Sequence, residues 1–261
     1  MRPPDGVELP APEFPKELEW ANAAFLRMAQ QVGRKAVLVE FWDFARVNSH
    51  RTLPYMRAWH ERYEDAGLRV IGVHTPGYSF GSDPELVRAA IEELEVSYPV
   101  ALDRHGAVWR AYGNEGWPGR WLFDQRGVLR YFHYGEGEYR ETELAIQELL
   151  RGDDHPEPLA PLRPEDATGV LLEPQTPEVK LPADRSRLEL EGDWEDGPDY
   201  VEARSEGAAA TASFRAGGAY AVLSGTASPG LHETGGRVTA DQPGLRLHGF
   251  QFTPIPPEAG S

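Results

Sequence analysis

The first 150 positions alternate between two hydrophobic periods. Residues 36–42, Ala-Val-Leu-Val-Glu-Phe-Trp, are a short β-branched apolar run broken only by Glu40, the pattern of a strand buried on both faces. Residues 68–74 repeat it, and Val100 opens a shorter third run. Between them the spacing turns helical. It predicts helices over residues 52–66, with Gly67 as a cap, over residues 85–95 behind Asp83-Pro84, and over residues 105–112. The same spacing predicts a helix over residues 16–31, where Leu18, Ala21, Phe25, Leu26 and Met28 are apolar. Residues 121–123 and 128–134 read as a hairpin around Gln125-Arg126-Gly127, and residues 141–150 as a closing helix. Strands alternating with helices and ending in an antiparallel hairpin define an α/β unit.

The pattern then changes. Prolines recur through residues 152–182 with few apolar anchors, which predicts an extended, semi-rigid linker. Residues 183–261 show short β-type runs separated by glycines and no helical period. Residues 245–252 alternate most clearly. This predicts a small all-β, sandwich-like domain. The division is therefore residues 1–151, 152–182 and 183–261.

Composition narrows the chemistry. The 261 residues include no cysteine and carry a net charge of −16. The charge excludes nucleic acid and an anionic membrane surface as partners. No apolar run reaches the length of a membrane span, and no apolar stretch follows Met1-Arg2-Pro3-Pro4, so a cytoplasmic location is expected. None of the eight histidines has a metal-ligand spacing, and no glycine-rich phosphate loop is present, so neither a metal nor a cofactor is expected.

Residues 42–55, Trp-Asp-Phe-Ala-Arg-Val-Asn-Ser-His-Arg-Thr-Leu-Pro-Tyr, resemble a thioredoxin-type active-site segment. Glu40-Phe41-Trp42 stands where that family has a buried acid followed by aromatics. Pro54 is at the position of its helix proline, and Trp117-Pro118 resembles its cis-proline loop. Arg51-Thr52-Leu53-Pro54-Tyr55, Ile71-Gly72-Val73-His74-Thr75-Pro76 and Trp109-Arg110-Ala111-Tyr112-Gly113-Asn114 narrow the resemblance to the TlpA/ResA-like branch and, within it, to the soluble region of DipZ-type proteins. It covers most of residues 10–150 and implies a thioredoxin-like fold, a central mixed sheet flanked by helices. Residues 85–112 would form the insertion of that branch. The final run is similar to the last strand of the DipZ carboxy-terminal domain, which resembles a carbohydrate-binding module.

The departures from the family are chemical. Arg46 and Ser49 stand where a Cys-x-x-Cys pair would be, and Gly77 follows His-Thr-Pro where relatives often have a Glu. The resemblance implies a thiol-disulfide reaction that a cysteine-free chain cannot perform. Arg46 places positive charge at a helix amino end, unfavourable by ~0.3–1 kcal/mol unless an anion meets it. Glu40 is expected beneath the site as a hydrogen-bonded buried acid. Arg46, His50, Arg51 and His74 would form either an anion-holding rim or a solvated one paired with acids such as Asp43. Ser49 and His50 are adjacent on a helix and diverge by roughly 100°, which argues against a serine nucleophile there. Trp42, Phe44, Arg46, His50, His74, Trp117 and Pro118 are the expected lining of a groove for an extended peptide or protein segment. Two alternatives stand beside that reading: glycan or surface binding through the last domain, where Trp194, Tyr200, Tyr220 and Phe250 are stacking candidates, and kinship with thiol-disulfide oxidoreductases in fold only. Self-association into a homo-oligomer stays open.

Overall fold

A computed structural model describes residues 1–4, 6–150 and 155–257. The boundary expected at residues 151 and 152 and the chain end at 261 lie outside the described residues. The chain divides into two compact units. Met1–Asp43, Asn48–Gly77 and Gly81–Leu162 form the first. Phe44–Val47, Tyr78–Phe80 and Arg163–Ser261 form the second.

The first unit is built from β1 (Glu19–Ala21), β2 (Ala36–Trp42), α1 (Val47–Tyr63), β3 (Leu68–His74), α2 (Pro84–Glu93), β4 (Val100–Leu102), α3 (Ala107–Tyr112), β5 (Gly119–Phe123), β6 (Leu129–Tyr134) and α4 (Tyr139–Leu149). Its six-stranded sheet runs β1-β4-β3-β2-β5-β6, with β2, β3 and β4 parallel and the remaining pairs antiparallel. The whole of β2 is buried, as its apolar run requires. Its alternate residues Val37, Val39 and Phe41 join Phe14, Trp20, Tyr112 and Phe123 in one cluster. Asp83 caps α2 by accepting the Glu85 N–H at 2.9 Å. The buried Asp103 carboxylate takes the Val108 and Trp109 N–H groups at the start of α3.

Two helix expectations are corrected. Residues 16–31 do not form a helix. Glu19–Ala21 pairs antiparallel with β4, and only Met28–Gln30 is helical, as a 3₁₀ segment. Asn22 ends the strand in the left-handed region (φ 59°) and donates to the carbonyls of Val96 and Tyr98. Strand pairing that buries Trp20 thus overrides the local spacing. The helix expected over residues 52–66 starts earlier, at Val47, and ends at Tyr63.

The second unit contains β7 (Val179–Lys180), β8 (Leu188–Glu191), β9 (Trp194–Asp196), β10 (Val201–Ala203), β11 (Ala209–Ala212), β12 (Gly218–Ser224), β13 (Gly230–Glu233), β14 (Arg237–Thr239) and β15 (Arg246–Thr253). One sheet runs β13-β12-β15-β10-β9, with β7 also paired to β15. A second runs β14-β11-β8. Apolar residues of both sheets share one buried cluster, including Val201, Ala210, Val238, Leu247 and Phe250. The last part of the expected linker is therefore a strand. At Gly249 the β7 backbone approaches so closely that a Cβ would lie 2.1 Å from the Val179 carbonyl oxygen. The alternation of residues 245–252 does not translate into exposure: Leu247 to Thr253 are all buried, including His248 and Gln251.

Polar satisfaction in the first unit concentrates on Glu143 of α4. Its buried carboxylate accepts from Trp59 Nε1 (3.0 Å), the Tyr63 hydroxyl (2.7 Å), Arg62 Nη1 (2.7 Å) and the Leu159 N–H (2.9 Å). Glu143→Leu strands two buried donors at once and is expected to destabilise the protein by on the order of 3 kcal/mol in urea unfolding. A loss below about 1 kcal/mol would show that water replaces the carboxylate at little cost.

Candidate functional site

The segment after β2 turns into α1 at Val47, so Arg46 occupies the residue before the first helical turn. Its environment belongs to the second unit. Arg46 Nη1 donates to Glu178 Oε1 at 2.5 Å, and its guanidinium lies 4.6 Å from the centre of the Tyr78 ring. The Tyr78 hydroxyl donates to the same Glu178 oxygen at 2.8 Å. The carboxylate thus supplies the anion that a cation at a helix amino end requires. Burial, with Glu178 nearby, pushes the Tyr78 hydroxyl far above the usual phenol range.

Gln251 of β15 completes this arrangement. Its amide oxygen accepts the Val47 N–H at 2.8 Å, and its amide nitrogen donates to the Ala45 carbonyl at 2.8 Å. A side-chain amide here satisfies one of the helix's unpaired first-turn donors. Phe44 is buried edge-on to Phe80, with ring centres 5.7 Å apart.

The other expected site residues lie in the first unit. The fully buried Ser49 accepts the Asp43 N–H at 3.2 Å, a structural role. Asp43 also accepts the Gly77 N–H at 2.8 Å, and its other oxygen is 3.5 Å from His74 Nε2. Trp42 and His74 are buried edge to face at 5.3 Å. His50 is half-buried. The Trp117–Pro118 peptide is cis; Pro118 is buried and Trp117 half-buried. The Trp117 indole donates to the Thr75 carbonyl at 2.9 Å and packs 4.4 Å from Trp109. The expected groove residues are thus divided: Phe44 and Arg46 are counted with the second unit, the remainder with the first.

Glu40 is fully buried on β2, directly opposite Arg120 of β5 in the antiparallel register. Desolvation raises its carboxyl to about 8, against the pull of Arg120 and a 3.4 Å hydrogen bond from Tyr98. Arg120 is equally buried, and its pKa is lowered by that burial. It donates to the Gly137 carbonyl at 2.5 Å and lies 5.0 Å from the Tyr139 ring centre. Glu40 Oε1 has no hydrogen-bond partner among the described residues.

Sequence reasoning missed Glu178, Gln251, Tyr78 and Arg120. The first two stand 132 and 205 positions after Arg46, beyond any local pattern. Arg120 did leave a signal, a charge within an apolar strand that matches the charge within β2. Two of the proposed sugar-stacking residues, Trp194 and Phe250, are core; Tyr200 and Tyr220 are half-buried. No group of three or more His, Asp or Glu able to hold a metal occurs among the described residues.

Fold and loop define the class: a thioredoxin-fold protein without the sulfurs its class uses. Residues 7–132 match the AhpC/TSA family. DipZ of Mycobacterium bovis is 38% identical over 146 residues, which are 54% of this chain and 21% of that protein. The chain thus spans about a fifth of the DipZ length. The thiol-disulfide oxidoreductase YkuV of Bacillus subtilis is 28% identical over 54% of this chain and 94% of its own. A thioredoxin-like protein solved in solution in its oxidised form superposes with a TM-score of 0.50 at 27% identity, over 54% of this chain and 95% of that one. The chain is a thioredoxin-fold redoxin protein related to DipZ-type proteins, and it lacks the cysteines of thiol-disulfide exchange.

The expected cytoplasmic location is overturned. Among the relatives, DipZ and ResA are extracytoplasmic, which argues against it. The address of such a domain is carried by segments outside its fold, so the composition of the fold does not report it. No helix among the described residues is long and apolar enough to cross a membrane.

An ordinary Glu titrates near 4.5, whereas Glu40 in the fold titrates near 8. The folded state binds the proton more tightly, so stability is greatest below the lower value and falls as pH rises through the higher one. Glu40→Gln is expected to remove that fall and to be more stable than the parent at pH 9 by on the order of a few kcal/mol in thermal melts. Parallel melting curves from pH 5 to 9 would contradict it. Glu178→Ala is expected to cost about 2 kcal/mol by leaving Arg46 without its anion. The Arg46→Ala/Glu178→Ala double change should cost less than the two single changes together; strict additivity in urea unfolding would mean that the pair is uncoupled.

Proposed function

We propose that this chain is a redox-inactive thioredoxin-fold binding protein that takes an extended peptide or protein segment beside Trp117 and acts outside the cytoplasm. Trp117 carries this reading. Its indole is half-exposed yet fixed by the Thr75 carbonyl and by Trp109. A rigid aromatic side chain contributes contact area at low entropic cost. Recognition of an extended segment relies on backbone pairing and side-chain pockets and needs no sulfur. The burial of Trp42, Phe44, His74 and Pro118 restricts the contact to the rim, where Trp117 and His50 retain exposure. Arg46 and Ser49 keep the loop's geometry and carry no chemistry. The two sheets of the second unit form a sandwich closed around their shared cluster, to which Val179 and Leu181 also contribute.

The reading is tested with the full chain in two assays. Insulin reduction by dithiothreitol should proceed at the uncatalysed rate from pH 6 to 9. An immobilised library of extended peptides should yield binders whose affinity falls at least about tenfold in Trp117→Ala, a loss near 1.4 kcal/mol. Catalysed turnover, or peptide binding indifferent to Trp117, would remove the proposal.

A further inference from the structure

The second unit also sets a serine, a histidine and an aspartate in series. Ser224 ends β12, His248 lies within β15, and Asp199 precedes β10. Ser224 Oγ is 2.8 Å from His248 Nε2. His248 Nδ1 is 2.9 Å from the Asp199 backbone oxygen and 3.6 Å from its carboxylate Oδ1. A carbonyl oxygen only accepts, so Nδ1 carries the proton. With Nδ1 carrying the only ring proton, Nε2 presents a lone pair to which the Ser224 hydroxyl donates. This is the tautomer that a general base acting on a serine requires.

Backbone geometry supports the alignment independently. Along the β12–β15 ladder Val222 faces Gly249, whereas Leu223 faces Leu247. His248 is therefore the extra residue of a β-bulge. Bulges re-aim a side chain and are over-represented beside active sites. In regular pairing Ser224 is opposite Arg246, so its bond to His248 is not imposed by the ladder.

The surroundings suit a base. The His248 ring is enclosed by Phe80, Tyr200 and Tyr78, with centroids at 4.8, 5.4 and 5.5 Å. Ser79 donates its N–H (2.6 Å) and its hydroxyl (2.9 Å) to the Asp199 carboxylate. Burial alone would raise that carboxyl, but the nearby His248 and the Ser79 hydrogen bonds outweigh it and hold the group at about 2. The carboxylate is thus ionised and placed to stabilise an imidazolium. Two residues beyond Ser224, the Thr226 hydroxyl oxygen is buried without a hydrogen-bond partner among the described residues.

We propose that Ser224, His248 and Asp199 form a sulfur-free nucleophilic site that hydrolyses small acyl esters. Ser224 is only 5% exposed, which limits the acyl group to a small one. Ser224 Oγ bonds to the ester carbonyl carbon while its proton moves to His248 Nε2. The tetrahedral intermediate collapses by breaking the carbon–oxygen bond to the alcohol, which leaves with that proton. Water then attacks the acyl-serine, again losing a proton to Nε2. Release of the carboxylic acid returns the proton to Ser224. Asp199 orients the ring and offsets its charge throughout.

The test uses the full chain with a fluorophosphonate probe and with p-nitrophenyl acetate. One adduct is expected, mapped by mass spectrometry to Ser224, and ester turnover should fall at least about 100-fold in Ser224→Ala. His248→Gln should give a similar loss. Should that buried variant fail to fold, Asp199→Asn serves in its place and is expected to slow turnover and shift the pH–rate profile. Labelling of folded wild-type protein needs no variant to be decisive. Absence of an adduct, or a rate unchanged in Ser224→Ala, would reduce the trio to structural hydrogen bonds and overturn the proposal.

Discussion

A guanidinium placed at the amino end of a helix must find an anion, and much of this protein's arrangement follows from how Arg46 finds one. The helix end already carries partial positive charge, which in a thioredoxin active site stabilises a thiolate. Here the negative charge comes from Glu178, 132 positions further along the chain. A charge-assisted hydrogen bond contributes about 1.5–3 kcal/mol, more than the ~0.3–1 kcal/mol by which the dipole disfavours the cation. Gln251 then satisfies the backbone on either side of Arg46. A loop that would be reactive in the family is thereby made structural, and residues 44–47 are counted with the second unit.

Glu40 shows what remains of a catalytic frame once its sulfur is gone. In a thiol enzyme an acid beneath the site exchanges protons with a cysteine. Here Ser49 has no comparable acidity, and its hydroxyl oxygen takes the Asp43 N–H instead. The raised pKa of Glu40 becomes a property of stability. Arg120 faces it across the sheet, so a buried ionisable pair lies at the centre of the fold. Such pairs are weak evidence for stability in themselves and cost most when one member is removed alone.

Much of the fold was legible. The strand at residues 36–42, the strand at 68–74, the Asp83-Pro84 helix start and the hairpin at 121–134 each follow from apolar period and end chemistry, which are local. Residues 16–31 misled because Trp20 gains more from strand pairing and burial than its neighbours gain from helical spacing. Residues 245–252 misled in another way. Their alternation is real, but the polar positions His248 and Gln251 are buried because each finds polar partners there. The same two residues carry most of what was unforeseen.

By itself, the sequence determined that no thiol chemistry is available and that an α/β unit precedes an all-β one. These depend on composition and on neighbours a few residues apart. Tertiary structure alone decided that Glu178 meets Arg46, that Gln251 reaches Val47, and that a bulge turns His248 toward Ser224. Each joins groups 24 to 204 positions apart through tertiary packing, which no local pattern encodes.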